Sequence, residues 1–123
     1  MSTSNPQQSH LTLIVDFHLQ PHLIPQWKSA HRPVWSACAL EPNCLLFDVF
    51  VDPEDPGHFT LVEIWDATKQ WFLEVQMKKE YYAELWRKTE WMYCEPRVVR
   101  FAERLGEGAS HRKGYWEGSV CMD

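Results

Sequence analysis

The sequence predicts an α+β domain in the order β-α-β-β-α-β, with one antiparallel four-stranded sheet and both helical layers on a single face. Three observations carry this expectation. A period-two apolar segment near the N-terminus reads as a strand. A stretch with apolar residues three and four apart follows it. Two further strand-like segments then flank a connection rich in Pro and Gly. Right-handed crossovers place both helical connections on the same side of the sheet.

The first strand is expected at Leu11–Leu19, where Leu11, Leu13, Val15 and Phe17 alternate with Thr12, Ile14, Asp16 and His18. One of its faces is wholly apolar and the other mixed. From Pro21 to Leu40, the residues Leu23, Trp27, Ala30, His31, Val34, Trp35 and Cys38 recur at helical spacing. This predicts an amphipathic helix, tolerant of Pro25 in its first turn and kinked at Pro33, with Glu41-Pro42-Asn43 as its stop. Cys44–Asp52 and His58–Asp66 read as two strands of a hairpin with a five-residue loop, Pro53 to Gly57. A short helix is expected at Ala67–Gln76 and a second helical stretch at Lys78–Tyr93, with Tyr82, Leu85, Trp86, Thr89, Met92 and Tyr93 on one stripe. The last strand is expected within Glu95–Leu105.

This divides the chain into a disordered tail at 1–9, a folded domain at 10–105, and a C-terminal tail at 106–123 with four Gly among its 18 residues. Tyr115 and Trp116 in that tail are expected to dock over the site or on a partner subunit. The sheet face without helices needs a cover. The apolar face of the first strand suggests a second copy of the sheet, hence a two-fold homodimer.

A chain of 123 residues fits one domain, large enough to hold a core without disulfides. Its net charge of −5, with basic residues scattered among acids, gives no footprint for nucleic acid or for an anionic membrane. No apolar run approaches the roughly 20 residues of a membrane span. The N-terminus lacks the basic and apolar regions of a signal peptide. The four cysteines include no CxxC pair, so they are expected to be reduced thiols in a cytoplasmic protein rather than metal ligands. Seven Trp, six Phe and four Tyr are a large aromatic complement. They point to a heavy core and to a pocket for a flat organic molecule.

Several segments resemble the antibiotic biosynthesis monooxygenase family. Glu41-Pro42-Asn43-Cys44-Leu45 is similar to its E-P-G-C-x entry into the second strand. Asp52-Pro53 to Gly57 resembles its D-P-x-x-P hairpin, and Glu63-Ile64-Trp65-Asp66 its E-x-W-x motif. The match covers roughly residues 10–102. The resemblance implies a ferredoxin-like fold assembled as a dimeric α/β barrel, with a pocket between sheet and helices in each subunit. It also implies oxygenation of a small aromatic polyketide-type substrate without metal or flavin, in secondary metabolism. Haem-degrading relatives carry an iron-ligating His about ten residues after the motif Trp. Here that region reads Leu73-Glu74-Val75-Gln76, so haem is not expected, and the resemblance to the cofactor-free members implies no other cofactor.

Candidate catalytic residues are His18, His31 and Tyr81. A His is a natural base for a phenol near neutral pH, with Asp16 as the possible orienter of His18 if that strand face lies under the helices. A Tyr hydroxyl can donate to a substrate carbonyl. Candidate substrate-binding residues are Asp16, Trp27, Trp35, Trp65, Tyr82 and Trp86. Trp27, His31 and Trp35 share one helix face at i, i+4 spacing, and Trp65 matches the motif. Of the adjacent Tyr81 and Tyr82, at most one is expected to face the pocket. His58 is assigned no role. Each aromatic has a structural alternative as core packing. The competing functions are a non-oxidative cyclase, dehydratase or decarboxylase, a non-catalytic aromatic-ligand-binding dimer, and a purely structural dimerisation domain.

Overall fold

A computed structural model describes residues 10–111. Strand β1 (His10–Leu19) leads through a 3-10 turn at Pro21–Leu23 into helix α1 (Ile24–Leu40). The hairpin of β2 (Cys44–Asp52) and β3 (Asp55–Asp66) follows. Then come helix α2 (Lys69–Glu74), a 3-10 turn at Gln76–Lys78, helix α3 (Glu80–Thr89), a 3-10 turn at Glu90–Met92, and β4 (Tyr93–Glu103). The four strands form one sheet in the order β2-β3-β1-β4, and every neighbouring pair is antiparallel. This is the ferredoxin-like α+β fold. The expected N-terminal tail and Tyr115-Trp116 lie outside the described residues.

The elements depart from their expected bounds for identifiable reasons. The five-residue loop is a two-residue turn, Pro53-Glu54, because Asp52 already pairs with Asp55 and its Oδ1 accepts from the Glu54 amide at 2.9 Å. Gly57 therefore lies inside β3. A Cβ there would meet the Leu19 carbonyl oxygen at 2.4 Å, so the close approach of β1 and β3 requires glycine. Helix α1 runs unbroken through Pro33. Thr68 caps α2, its hydroxyl accepting from the Trp71 amide at 3.1 Å. The single stretch expected at 78–93 divides, and β4 begins at Tyr93. Pro96 is tolerated there because β4 is an edge strand.

All three helices pack on one sheet face. Trp27, His31, Val34 and Cys38 form the buried stripe of α1, and Tyr82, Leu85 and Thr89 that of α3. Beneath them lie Leu11, Leu13, Val15, Phe17 and Leu19 of β1 with Phe59, Leu61 and Trp65 of β3. The apolar face of β1 is thus the floor of the core. The sheet face opposite the helices carries the mixed residues Thr12, Ile14, Asp16 and His18, which corrects the expected reason for a dimer. The core divides into two clusters, one around Leu13, Trp65, Phe72 and Leu85 and the other around Phe17, Trp27, Phe59 and Leu61.

Candidate functional site

A cavity of about 240 Å³ lies between the sheet and the helices. Its lining draws on both core clusters, including Leu13, Phe72 and Leu85 from one and Val15, Phe17 and Leu61 from the other. The wall is apolar and aromatic, as sites for small organic ligands are. Seven side chains with polar or ionisable groups interrupt it: His31, Trp35, Cys38, Glu63, Tyr82, Trp86 and Arg97.

His31 sits one helical turn beyond Trp27 on α1, and its Nδ1–H donates to the Trp27 carbonyl at 3.1 Å. That bond fixes the tautomer, so the Nε2 lone pair is the free end of the ring. Nε2 is buried and has no hydrogen-bond partner among the described residues. Burial, with the Arg97 guanidinium adding to it and the Trp27 carbonyl opposing, lowers the His31 pKa to about 4, so the ring is neutral at pH 7. Trp35, one turn further along α1, likewise holds a buried Nε1–H without a partner. Two residues of the cavity wall therefore each hold a buried polar atom, one acceptor and one donor, without a partner among the described residues. Such groups are costly to bury unless something pairs with them.

Glu63 enters from β3. Its Oε1 accepts from Trp65 Nε1 at 3.0 Å, and burial raises its pKa to about 7 against that bond. Tyr82 comes from α3. Its hydroxyl lies 3.2 Å from Cys38 Sγ and accepts from Gln76 Nε2 at 3.1 Å. Burial pushes the Tyr82 hydroxyl well above its ordinary range and the Cys38 thiol up to about 12, so both keep their protons at neutral pH. Trp86 completes this side of the wall, with the Arg97 guanidinium stacked 3.7 Å over its ring.

The expected site residues fall into three groups. His31, Trp35, Tyr82 and Trp86 line the cavity. Trp27, Trp65 and Tyr81 stand one layer behind it. Trp27 is fully buried, donates to Tyr93 Oη at 2.9 Å and orients His31 through its carbonyl. Trp65 is fully buried and holds Glu63. Tyr81 accepts from Gln76 Nε2 at 2.7 Å and donates to Glu41 Oε2 at 2.8 Å. The adjacent tyrosines therefore meet at one amide although only Tyr82 reaches the cavity. Asp16 and His18 form the third group, on the opposite sheet face. His58 Nε2 donates to Asp16 Oδ1 at 2.8 Å, Thr60 Oγ1 donates to the same oxygen at 2.7 Å, and the His18 ring stacks on His58 at 4.2 Å. Their expected place in the pocket is corrected. Sheet alternation puts them on the phase that carries Thr12 and Ile14, away from the helices.

Arg97 was not singled out from the sequence, and Glu63 was named there only as the first residue of the E-x-W-x motif, with no role in the site. The signal for Glu63 was present, because Phe59, Leu61, Glu63 and Trp65 share one strand phase and three of the four are large and apolar. Arg97 had no comparable signal.

An α+β sheet with helices on one face and a cavity between them defines a domain of the ferredoxin-like class with an internal pocket. No family model matches the chain. It is 33% identical over 96 residues to the Pestalotiopsis microspora protein named Putative monooxygenase GME11364, covering 78% of this chain and 77% of that one. A crystal structure of an antibiotic biosynthesis monooxygenase superposes with a TM-score of 0.70 at 25% identity, over 78% of this chain and 99% of that one. The structure named Putative antibiotic biosynthesis monooxygenase from Nitrosomonas europaea shares the fold, with a TM-score of 0.72 at 19% identity over 85% of this chain and 96% of that one. The chain belongs to the antibiotic biosynthesis monooxygenase family. Among the described residues, no helix is long and apolar enough to cross a membrane.

Proposed function

We propose that this protein is a cytoplasmic, cofactor-independent monooxygenase-like enzyme of secondary metabolism that acts on a small hydroxylated aromatic substrate of the polyketide type. The observation that carries this reading is the cavity: an apolar, aromatic wall in which His31 Nε2 and Trp35 Nε1–H have no partner. A flat ring supplies the apolar contact that this wall favours. A phenolic O–H can donate to His31 Nε2, and a carbonyl or hydroxyl oxygen can accept from Trp35. The volume of about 240 Å³ is below the roughly 300–1,000 Å³ of sites for drug-sized ligands, which suits a compact fused-ring compound.

The protein's part in such a reaction is to bind, orient and exclude water, while an electron-rich deprotonated substrate reacts with dioxygen. A homodimer through the open sheet face belongs to the same reading, supported by the half-exposed Phe50 and Val98 and by Ile14, Val62 and Ile64 on that face. Oxygen uptake with anthrone as probe tests the reaction. We expect consumption that depends on protein, and a loss of affinity in His31→Leu and Trp35→Phe. Turnover under nitrogen without uptake in air would select the non-oxidative alternative, and tight binding without turnover the binding-module alternative.

A further inference from the structure

Glu63 stands alone in its surroundings. On the helix-covered sheet face, cross-strand partners line up as Phe47, Glu63, Leu13 and Phe101, beside a row of Val49, Leu61, Val15 and Val99. One carboxyl group thus occupies a position where seven neighbours in two rows are apolar. Glu63 is 6% exposed. Its one hydrogen-bond donor among the described residues is Trp65 Nε1, and no Lys or Arg among them forms an ion pair with it. An ionised carboxylate in such a place is costly, and a leucine would pack there without that cost. The carboxyl borders the cavity instead, and the fully buried Trp65 fixes its orientation from behind.

The other groups around Glu63 are poor proton acceptors at neutral pH. Cys38 of α1, Cys44 of β2 and Tyr82 of α3 all feel its charge, and all three keep their protons. Arg97 of β4 has no lone pair to offer and is engaged with Glu90. The remaining candidate, His31 of α1, is so disfavoured as a cation that it accepts a hydrogen bond far more readily than a proton. Glu63 is the cavity group whose protonation changes near pH 7, which suits proton transfer in both directions.

We propose that Glu63 is the catalytic base of this cavity, taking the proton of an aromatic carbon or oxygen acid that His31 and Trp35 orient. The assignment rests on the reading of the cavity as a site for a hydroxylated aromatic compound. In the proton-transfer step, a C–H or O–H bond of the substrate breaks. Its electron pair stays on the ring system, and the proton bonds to a Glu63 carboxylate oxygen. Where oxygenation follows at a methylene carbon, the carbanion adds to dioxygen and the peroxide anion takes that proton back. Loss of the second C–H proton to Glu63 then forms the ketone and expels hydroxide, which leaves as water with the proton.

The test separates the base from the oxygenase. Under nitrogen in D₂O, exchange of the anthrone methylene hydrogens is followed by NMR for the wild-type protein, Glu63→Gln, Glu63→Asp and His31→Gln, with far-UV circular dichroism as the check on folding. We expect wild-type exchange to rise through an inflection near pH 7 and to fall on the order of 10²-fold or more in Glu63→Gln. Glu63→Asp should retain part of the rate, and His31→Gln should bind more weakly but keep the inflection. Wild-type-like exchange by folded Glu63→Gln, or no exchange by the wild-type protein, would overturn the assignment. If Glu63→Gln does not fold, the decision passes to Glu63→Asp, where an unchanged rate would overturn it. Exchange under nitrogen with no oxygen uptake in air would leave Glu63 as the base and remove the oxygenase reading alone.

Discussion

The two faces of the sheet each hold a histidine and a carboxylate, and they treat them in opposite ways. On the helix-covered face, burial lowers His31 to about 4 and raises Glu63 to about 7, so both groups are pushed toward neutrality. On the open face, the Asp16 carboxylate raises His58, opposed by partial burial and helped by Asp52. Burial alone would raise Asp16, but hydrogen bonds from His58 and Thr60 and the charges of His58 and Arg100 bring it below its ordinary value. Both groups there are pushed toward charge. Asp16 and Glu63 lie on neighbouring strands, separated mainly by which way the pleat points. Desolvation decides on one face and partnership on the other. The neutral pair borders a cavity that lacks partners and can recruit a ligand, whereas the charged pair is already satisfied.

The largest way to break this contrast is to open the covered face. Trp27 is fully buried, packs against Phe17 and Phe59 with ring centroids at 5.4 and 4.6 Å, and donates to Tyr93. Trp27→Ala should cost about 3–5 kcal/mol in urea unfolding. His18→Ala, which removes a stacked ring on the open face, should cost less than about 1 kcal/mol. Comparable losses at the two positions would remove the distinction.

The next test uses pH. The carboxyl of Glu63 moves from an ordinary 4.5 to about 7 on folding, and His31 from 6.5 to about 4. Each change amounts to something on the order of 3 kcal/mol. Between pH 4.5 and 7 the unfolded chain has lost the Glu63 proton that the folded chain keeps, so this group lowers stability as pH rises. Between pH 6.5 and 4 the unfolded chain gains a proton that folded His31 refuses, so that group lowers stability as pH falls. The two slopes oppose each other in the wild-type protein. Glu63→Leu should uncover a stability that climbs from pH 4 to 6.5, and His31→Leu one that declines from pH 4.5 to 7. Flat profiles in both variants would show that the cavity is wetter than its lining implies.

Much of this was legible in the chain. Strand alternation at β1, the Trp27-His31-Val34-Cys38 stripe of α1 and the strand β2 followed from periodicity alone. So did the contacts within α1 that bring His31 under Trp27. What periodicity could not give was which face of β1 the helices cover, because a strand has two faces and only the crossovers and the partner strands choose between them. Choosing wrongly placed Asp16 and His18 in the pocket. The phase of β3 contained the answer, since Trp65, Leu61 and Phe59 pair with Leu11, Val15 and Phe17. The same phase carries Glu63. Reading the two strands as a pair would have moved attention from the half-buried histidine of the open face to the buried carboxyl. Arg97 was beyond reach, because its place at the cavity depends on the start of β4 and on the Trp86 ring across from it.

The smallest effect belongs to the open face, and it sharpens the contrast through its sign. Asp16 and His58 are partly exposed, with side chains 20% and 25% accessible, so their pair is worth about 1 kcal/mol or less after solvent screening. His58 is raised above its ordinary value, so its contribution is complete below about pH 6.5 and is lost as pH rises through the raised value. Asp16 is lowered, so its contribution is complete above about pH 4 and is lost as pH falls through the lowered value. The pair therefore stabilises the fold most between those limits. Asp16→Asn should lower unfolding stability at pH 5.5 and have a smaller effect at pH 9, because the His58 contribution is lost as pH rises through its raised value. Glu63→Leu should raise stability over the same change in pH, and more so at pH 9. A loss from Asp16→Asn that stayed the same at pH 9 would mean that Thr60, rather than the histidine, is the partner that matters at Asp16.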